Sequence, residues 1–158
     1  MKTNFYRIVS GLLLMAAVSS VKAMGIMVND PWVRAAPPNA PALAAFMQLE
    51  NHTGVDVALI EVSTTLPVAR VELHRTMMAD GMMKMIQQKE MPVAAHGSLV
   101  LKPGSWHIML IGPKKVPVEG DQVTLTLRFS DGTEKQITAP VRKGKMMMKG
   151  GMHHKMHH

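Results

Sequence analysis

The stretch from Gln122 to Pro140, QVTLTLRFSDGTEKQITAP, carries the clearest secondary-structure signal in the chain. Its first half alternates apolar and polar side chains, with Val123, Leu125, Leu127 and Phe129 on one face against Thr124, Thr126 and Arg128 on the other. This period of two is typical of a strand with one face in a core. Asp131-Gly132 indicates a turn before a second strand at Glu134 to Ala139, so the stretch predicts an antiparallel hairpin.

Outward from this hairpin, short alternating segments separated by Pro, Gly, Asn and Asp fill the chain between Met24 and Val141. None of these segments has the apolar stripe of a helix. Eight further strands are predicted, at residues 26–28, 32–35, 43–50, 55–63, 69–76, 82–88, 98–101 and 107–111. Many short strands at this spacing predict an all-β fold, an antiparallel β-sandwich.

The two ends of the chain differ from this body. Basic Lys2 and Arg7, an apolar run and the small-residue site ending at Ala23 predict a signal peptide over residues 1–23, with an uncleaved membrane anchor as the alternative. The body, residues 24–141, is one domain, with no stable membrane insertion after cleavage. Residues 142–158 are rich in Met, His and Lys and predict a disordered tail; their spacing is unlike that of a purification tag.

The formal net charge of +7 belongs to those ends. The leader contains three basic residues and residues 142–158 contain five, whereas residues 24–141 contain ten basic and eleven acidic residues. A nearly neutral body lacks the clustered basic face that phosphate binding requires. The sequence therefore predicts no nucleic-acid partner.

The sequence contains 17 methionines, eight histidines and no cysteine. An exported protein without cysteine has no disulfides, and any soft-metal site in it must use thioether or imidazole. The absence of a thiolate also argues against a blue-copper electron carrier. No nucleophile motif, phosphate-binding glycine loop or catalytic carboxylate pair indicates an enzyme.

The segment VELHRTMMADGMMKM, from Val71 to Met85, predicts half of a soft-metal site. With Asp80 and Gly81 at the centre of a type I′ turn, the numbers of facing residues sum to 161. His74 and Met85 then share one face and are diagonal neighbours across the hairpin. A three-residue loop would shift this register by one residue and separate them.

The segment GSWHIML, from Gly104 to Leu110, predicts the other half. His107 and Met109 share one strand face, while Trp106, Ile108 and Leu110 share the face expected to meet the core. Two imidazoles with two thioethers suit Cu(I) better than Zn²⁺, Mg²⁺ or Ca²⁺. His74, Met85, His107 and Met109 are therefore the candidate Cu(I) ligands.

The other methionines and histidines have plainer interpretations or lie in the tail. Met77, Met82 and Met91 are interpreted as packing residues, and Met78 and Met83 as auxiliary donors or apolar cover. Imidazoles of the tail would favour Cu(II) and its thioethers Cu(I). Candidate ligands of this second metal site are Met146, Met147, Met148, Met152, His153, His154, Met156, His157 and His158.

The chain resembles the PCuAC family of periplasmic copper chaperones, whose motif is His, ten residues, Met, twenty-one residues, His, one residue, Met. His74, Met85, His107 and Met109 match every spacing of that motif. Further likeness lies at residues 30–35, 80–83, 102–104 and 119–121 and in the Pro/Ala-rich segment that ends at Phe46-Met47, and it spans about residues 27–140. The resemblance implies a cupredoxin-like β-sandwich, a Cu(I) site at those four residues and a periplasmic role in cytochrome oxidase assembly.

One departure from the family pattern follows the first histidine, where relatives can carry another methionine and this chain has Arg75. Alternation directs Arg75 away from His74.

The four candidate ligands and the resemblance together predict a metallochaperone that delivers Cu(I) to a cytochrome oxidase copper-binding subunit or another copper carrier. The alternative is periplasmic copper storage or detoxification, which would use the same residues.

Overall fold

The computed structural model describes residues 25–144, which form ten β-strands and no helix that could cross a membrane. The predicted signal peptide and the tail ligands from Met146 to His158 lie outside this range. The strands are β1 (Ile26–Arg34), β2 (Ala42–Asn51), β3 (Val57–Thr64), β4 (Arg70–Ala79), β5 (Met82–Gln88), β6 (Met91–Val93), β7 (Ser98–Leu101), β8 (Trp106–Ile111), β9 (Gln122–Phe129) and β10 (Glu134–Arg142). The all-β prediction is confirmed.

Two strands depart from the predicted pattern. The segments predicted at 26–28 and 32–35 are one strand, β1, because a bulge between Asn29 and Trp32 absorbs the break in alternation. Asp30 has a φ of 43° at this bulge, and its carboxylate accepts a hydrogen bond from Arg142 at 2.8 Å. The short strand β6 was not predicted, since Pro92 interrupts it; proline is tolerated there because β6 ends the strand order and pairs only with β3.

The strands form two layers. The first layer has the order β5-β4-β8-β7-β2-β1, with an additional pairing of β8 with β2, and the second has the order β10-β9-β3-β6. A short parallel pairing of Val33 and Arg34 in β1 with Val141 and Arg142 in β10 joins them. Apart from this pairing and one parallel bridge between β7 and β8, the strand pairings of residues 25–144 are antiparallel.

The hydrophobic core lies between the layers. The apolar face of β9 is buried as its alternation predicts, and it meets buried side chains of β2, β3 and β8. Met91 is also fully buried, so its interpretation as a packing residue is confirmed. The largest fully buried side chains are those of Phe129, Ile26, Leu43, Leu49, Leu59, Met91, Leu101, Ile108, Leu110, Leu125 and Leu127.

The β4–β5 hairpin has the predicted register, from Leu73 opposite Gln88 to Ala79 opposite Met82. Asp80 and Gly81 have φ values of 52° and 74°, as a type I′ turn requires at both central positions. β4 pairs with β8 only as far as Arg75 opposite Trp106. The outer half of the hairpin therefore extends beyond β8 as a two-stranded ribbon.

Candidate metal centre

Two histidines face each other on the side of the first layer that lies away from the core. His74 in β4 is the direct partner of His107 in β8, and their ring centroids are 5.7 Å apart. The neighbouring pair, Leu73 and Ile108, points the other way and belongs to the core. Because side chains alternate along both strands, the pairing that buries Leu73 and Ile108 also brings the two imidazoles together.

His107 is 4% exposed, and one of its ring nitrogens has a partner. Its Nδ1 lies 2.9 Å from the carbonyl oxygen of Ser105. A carbonyl can only accept, so Nδ1 carries the proton and donates, which leaves a lone pair on Nε2. Burial lowers the pKa of His107, partly opposed by the Ser105 bond, and keeps the ring neutral.

His74 is oriented by Glu72, two residues earlier on the same strand face. Its Nε2 lies 2.7 Å from Oε2 of Glu72, and Oε1 of Glu72 accepts a hydrogen bond from Nε of Arg70 at 2.5 Å. The Arg70 bond, followed by the His74 bond, lowers the pKa of Glu72, so the carboxylate is ionised and accepts a hydrogen bond from Nε2–H of His74. The lone pair of His74 is therefore on Nδ1.

Those two lone pairs have no partner. His74 Nδ1 and His107 Nε2 are the two buried side-chain polar atoms in residues 25–144 that make no hydrogen bond. Leaving a buried polar atom unpaired costs on the order of 1–3 kcal/mol, so it is uncommon in a native fold. A cation that accepts both lone pairs would remove that cost.

The two predicted thioether ligands lie differently. Met109 is half-buried, directly opposite Glu72 and two residues from His107 on the same face. Met85 is opposite Thr76 and diagonal to His74, and its side chain is exposed. The structure therefore brings His74, His107 and Met109 together and leaves Met85 at the outer rim. Within residues 25–144, no three His, Cys, Asp or Glu side chains form a group suited to a metal ion, so thioethers are the donors available beside the imidazoles.

An aromatic wall, which we define as Trp32 and Phe46, was not found from the sequence. Phe46 is buried outside the main core, with its ring centroid 6.4 Å from that of His107 and 4.8 Å from that of Trp32. The guanidinium of Arg142 lies 4.8 Å from the Trp32 ring. The available signal was the run from Leu43 to Met47, which is apolar on both faces and therefore indicates a strand covered on both sides.

The prediction that Arg75 points away from the histidines is confirmed. Its guanidinium stacks 4.8 Å from the centroid of the Trp106 ring, its direct partner across β4 and β8. The interpretation of Met77 and Met82 as packing residues is wrong, since both are exposed. They lie on the ribbon that extends beyond β8, where no other strand of residues 25–144 packs against them.

Replacing Glu72 with glutamine is expected to weaken binding of a soft ion such as Cu(I) about tenfold, as loss of a histidine-orienting carboxylate does in other metal sites. The glutamine amide can donate a hydrogen bond to Nε2 of His74. That bond would favour the tautomer with the proton on Nδ1, so that Nδ1 would have no lone pair for the metal. Competition with a chromogenic chelator measures the affinity.

The matched control is Glu50→Gln, because Glu50 and His52 form the same carboxylate-x-histidine pair, at 3.1 Å, at the far end of β2. Its affinity should equal that of the unmodified chain. Equal losses in the two variants would mean that the effect is one of net charge, not of tautomer.

Comparison with known proteins identifies the family and the fold. Residues 26–141 match the family described as "Putative lipoprotein LpqE-like". "Putative lipoprotein Lxx21020" of Leifsonia xyli subsp. xyli is 34% identical over 122 residues, which cover 77% of this chain and 72% of that protein. The solution structure of CuI-DR1885 from Deinococcus radiodurans is 28% identical, with a TM-score of 0.63 over 82% of this chain and 85% of that one.

The copper-bound PCuAC domain from PmoF2 is 21% identical, with a TM-score of 0.64 over 75% of this chain and 93% of that domain. At this identity the likeness concerns the fold alone. The cupredoxin-like β-sandwich expected from the sequence is confirmed.

Proposed function

The chain belongs to the LpqE-like family of PCuAC proteins, and from this premise we propose that it is a periplasmic copper chaperone that holds Cu(I) at His74, His107, Met109 and Met85. It delivers the ion to the copper-binding subunit of a cytochrome oxidase or to another copper carrier. It is a binding protein without turnover, exported by a signal peptide over residues 1–23.

The observation that carries this proposal is the pair of buried, unpartnered lone pairs on His74 Nδ1 and His107 Nε2. Each ring has its other nitrogen hydrogen-bonded to a protein acceptor, so both rings are oriented before the ion arrives and each keeps one nitrogen for it. Imidazoles and thioethers suit Cu(I), which prefers soft donors.

Unequal exposure of the donors favours delivery. His74 and His107 are covered, whereas Met85 is exposed at the rim, so a bound ion would be open to a recipient on the side of Met85. A thiolate or thioether of the recipient then enters on that side as a ligand of this chain leaves, and copper passes by ligand exchange. Thioethers carry no charge and no proton, so this exchange needs no proton transfer.

The tail from Met146 to His158 supplies the second copper site of the proposal, with Cu(II) at its imidazoles or Cu(I) at its thioethers. It follows β10, whose last residue, Arg142, lies against Trp32 of the aromatic wall. Sixteen residues beyond Arg142, at up to about 3.3 Å each, are long enough to reach the histidines. The tail can therefore exchange copper with the folded site.

Copper storage or detoxification is the second candidate, and the nine donors of the tail favour it. Storage needs capacity, whereas delivery needs one site from which a recipient can take the ion. The two functions differ in where the copper goes when an acceptor of similar affinity is present.

Cu(I) competition with a chromogenic chelator tests the folded site in the chain truncated after Gly144. We expect one tightly bound Cu(I) in this truncated chain, more copper in the full chain, and about 100-fold weaker binding in the truncated chain with Met109→Leu, which keeps side-chain volume but removes the donor. Mixing the copper-loaded truncated chain with an apo oxidase copper domain then measures delivery.

Each outcome has a distinct meaning for the proposal. A truncated chain without Cu(I), or a Met109→Leu variant that binds as well as its parent, contradicts the four-ligand site. Retention of all copper in the presence of the apo oxidase domain contradicts delivery to this recipient and favours storage. Met47→Leu is the matched control, because Met47 lies fully buried in the core on the same layer.

A further inference from the structure

The outer half of the β4–β5 hairpin exposes an unusual amount of thioether surface. Within residues 25–144, eleven large hydrophobic side chains are exposed, and six of them lie on β4 and β5: Met77, Met78, Met82, Met83, Met85 and Ile86. Apolar side chains gathered on one protruding ribbon, and not scattered singly, indicate a functional surface.

Three of these methionines share the face of the two histidines. Met78 is the direct cross-strand partner of Met83, and Met85 follows Met83 by two residues on the same strand face. In a two-residue hairpin the pair next to the turn is hydrogen-bonded, so Met78 and Met83 form the following non-hydrogen-bonded pair, with Cα atoms about 4.5 Å apart. Two flexible thioethers at this spacing can reach one ion.

Met77 and Met82 are exposed on the opposite face of the same ribbon. They are not cross-strand partners, because Met77 faces Lys84 and Met82 faces Ala79. Lys84 on that face forms an ion pair with Asp80 at 2.9 Å. A cation would therefore meet an ammonium group there, whereas the face with Met78 and Met83 offers neutral donors.

We propose that Met78 and Met83, with Met85 as the shared third donor, form a further, exposed binding site for a soft monovalent cation, Cu(I) or Ag(I), at the end of the hairpin. This hairpin site rests on the proposed function, since it serves as the port through which Cu(I) enters and leaves the histidine site. Met85 is diagonal to His74 on one side and adjacent to Met83 on the other, so it contacts an ion in either position.

The transfer step is a ligand exchange in which copper remains Cu(I). A bond from Met109 or an imidazole to copper breaks as a bond from Met83 or Met78 forms, while Met85 keeps the ion attached. No electron or proton moves, because every thioether is neutral in both states. The side chains of Met78 and Met83 are 67% and 60% exposed, so an incoming recipient can reach the ion there.

The first test uses the full chain labelled with ¹³C in its methionine methyl groups and titrated with Ag(I), a redox-stable stand-in for Cu(I). We expect the methyl signals of Met109 and Met85 to shift first and those of Met78 and Met83 to shift with further Ag(I), while those of Met77 and Met82 stay in place. Residue-resolved signals also separate the hairpin from the tail.

Failure of this inference is distinguishable from failure of the proposed function. If the methyl signal of Met109 shifts and those of Met78 and Met83 do not shift at saturation, the hairpin site is wrong and the four-ligand site remains. If the signals of Met78 and Met83 shift and that of Met109 does not, the hairpin site stands and the four-ligand site is wrong. Equal shifts at all exposed hairpin methionines mean nonspecific binding and overturn the inference.

The second test measures transfer kinetics. The double variant Met78→Leu/Met83→Leu keeps the apolar surface but removes both donors, and we expect it to release Cu(I) to a chelator about fivefold more slowly. The matched control, Met77→Leu/Met82→Leu, should release Cu(I) at the unmodified rate. Unchanged release in both variants would overturn the port, and equal slowing in both would attribute the effect to the hairpin surface instead of its donors.

Discussion

Replacing His107 with leucine is expected to abolish copper binding at the folded site and, at the same time, to stabilise the copper-free protein. The Nε2 atom of His107 is buried without a partner, and leucine of similar size removes that atom. The Nδ1 bond to Ser105 is also lost, but the Ser105 carbonyl still accepts a hydrogen bond from the Thr76 amide at 3.1 Å. The substitution therefore leaves no unsatisfied acceptor at Ser105 and removes the unpaired Nε2 atom.

We expect the free energy of unfolding of the copper-free chain to rise by about 1 kcal/mol, or the Tm by about 4 °C. The Cu(I) affinity of the chain truncated after Gly144 should fall more than about 100-fold, since a ligand contributes more than the outer partners whose loss costs 10- to 100-fold. Thermal unfolding and chelator competition measure the two quantities on one sample.

His52→Leu is the control, because His52 is partly exposed and already paired with Glu50 at the far end of the layer. It should change neither quantity. A His107→Leu protein that is strongly destabilised would mean that the imidazole is a satisfied structural group, and one that still binds Cu(I) tightly would remove His107 from the ligand set.

The strand faces of the two histidines were predictable from the sequence. The Asp80-Gly81 turn fixed the register of β4 and β5, and alternation then assigned His74 and His107 to the face opposite Leu73 and Ile108. Both steps use local information only.

Features that depend on which strands become neighbours were not predictable in the same way. Phe46 reaches His107 only because β2 pairs with β8, a contact between strands more than fifty residues apart in the chain. The Glu72 bond to His74 required side-chain geometry that period two does not supply. The interpretation of Met77 and Met82 as packing residues follows the usual role of methionine, whereas the extension of the hairpin beyond β8 exposes them.

Replacing Phe46 with alanine is expected to destabilise the fold and to weaken copper binding, whereas Phe129→Ala is expected to do only the first. Both rings are buried, but Phe129 belongs to the core between the layers and Phe46 lies outside it against His107 and Trp32. Loss of either ring should lower the free energy of unfolding by about 3–5 kcal/mol. The two variants are therefore matched in stability and differ in their distance from the site.

Without the Phe46 ring, water can reach the Nε2 lone pair of His107 and the imidazole loses the surface that holds its plane. Water then competes with the ion for that lone pair, and we expect the Cu(I) affinity to fall about tenfold, a loss typical of residues that support a metal ligand from behind. Affinity is measured by chelator competition at a temperature where denaturation curves show both variants folded. Equal affinity in Phe46→Ala and Phe129→Ala would mean that the aromatic wall stabilises the layer but does not organise the ligand. Apart from His74, Phe46 is the only aromatic side chain in residues 25–144 whose ring contacts His107, so a loss of affinity confined to Phe46→Ala ties that contact to metal binding.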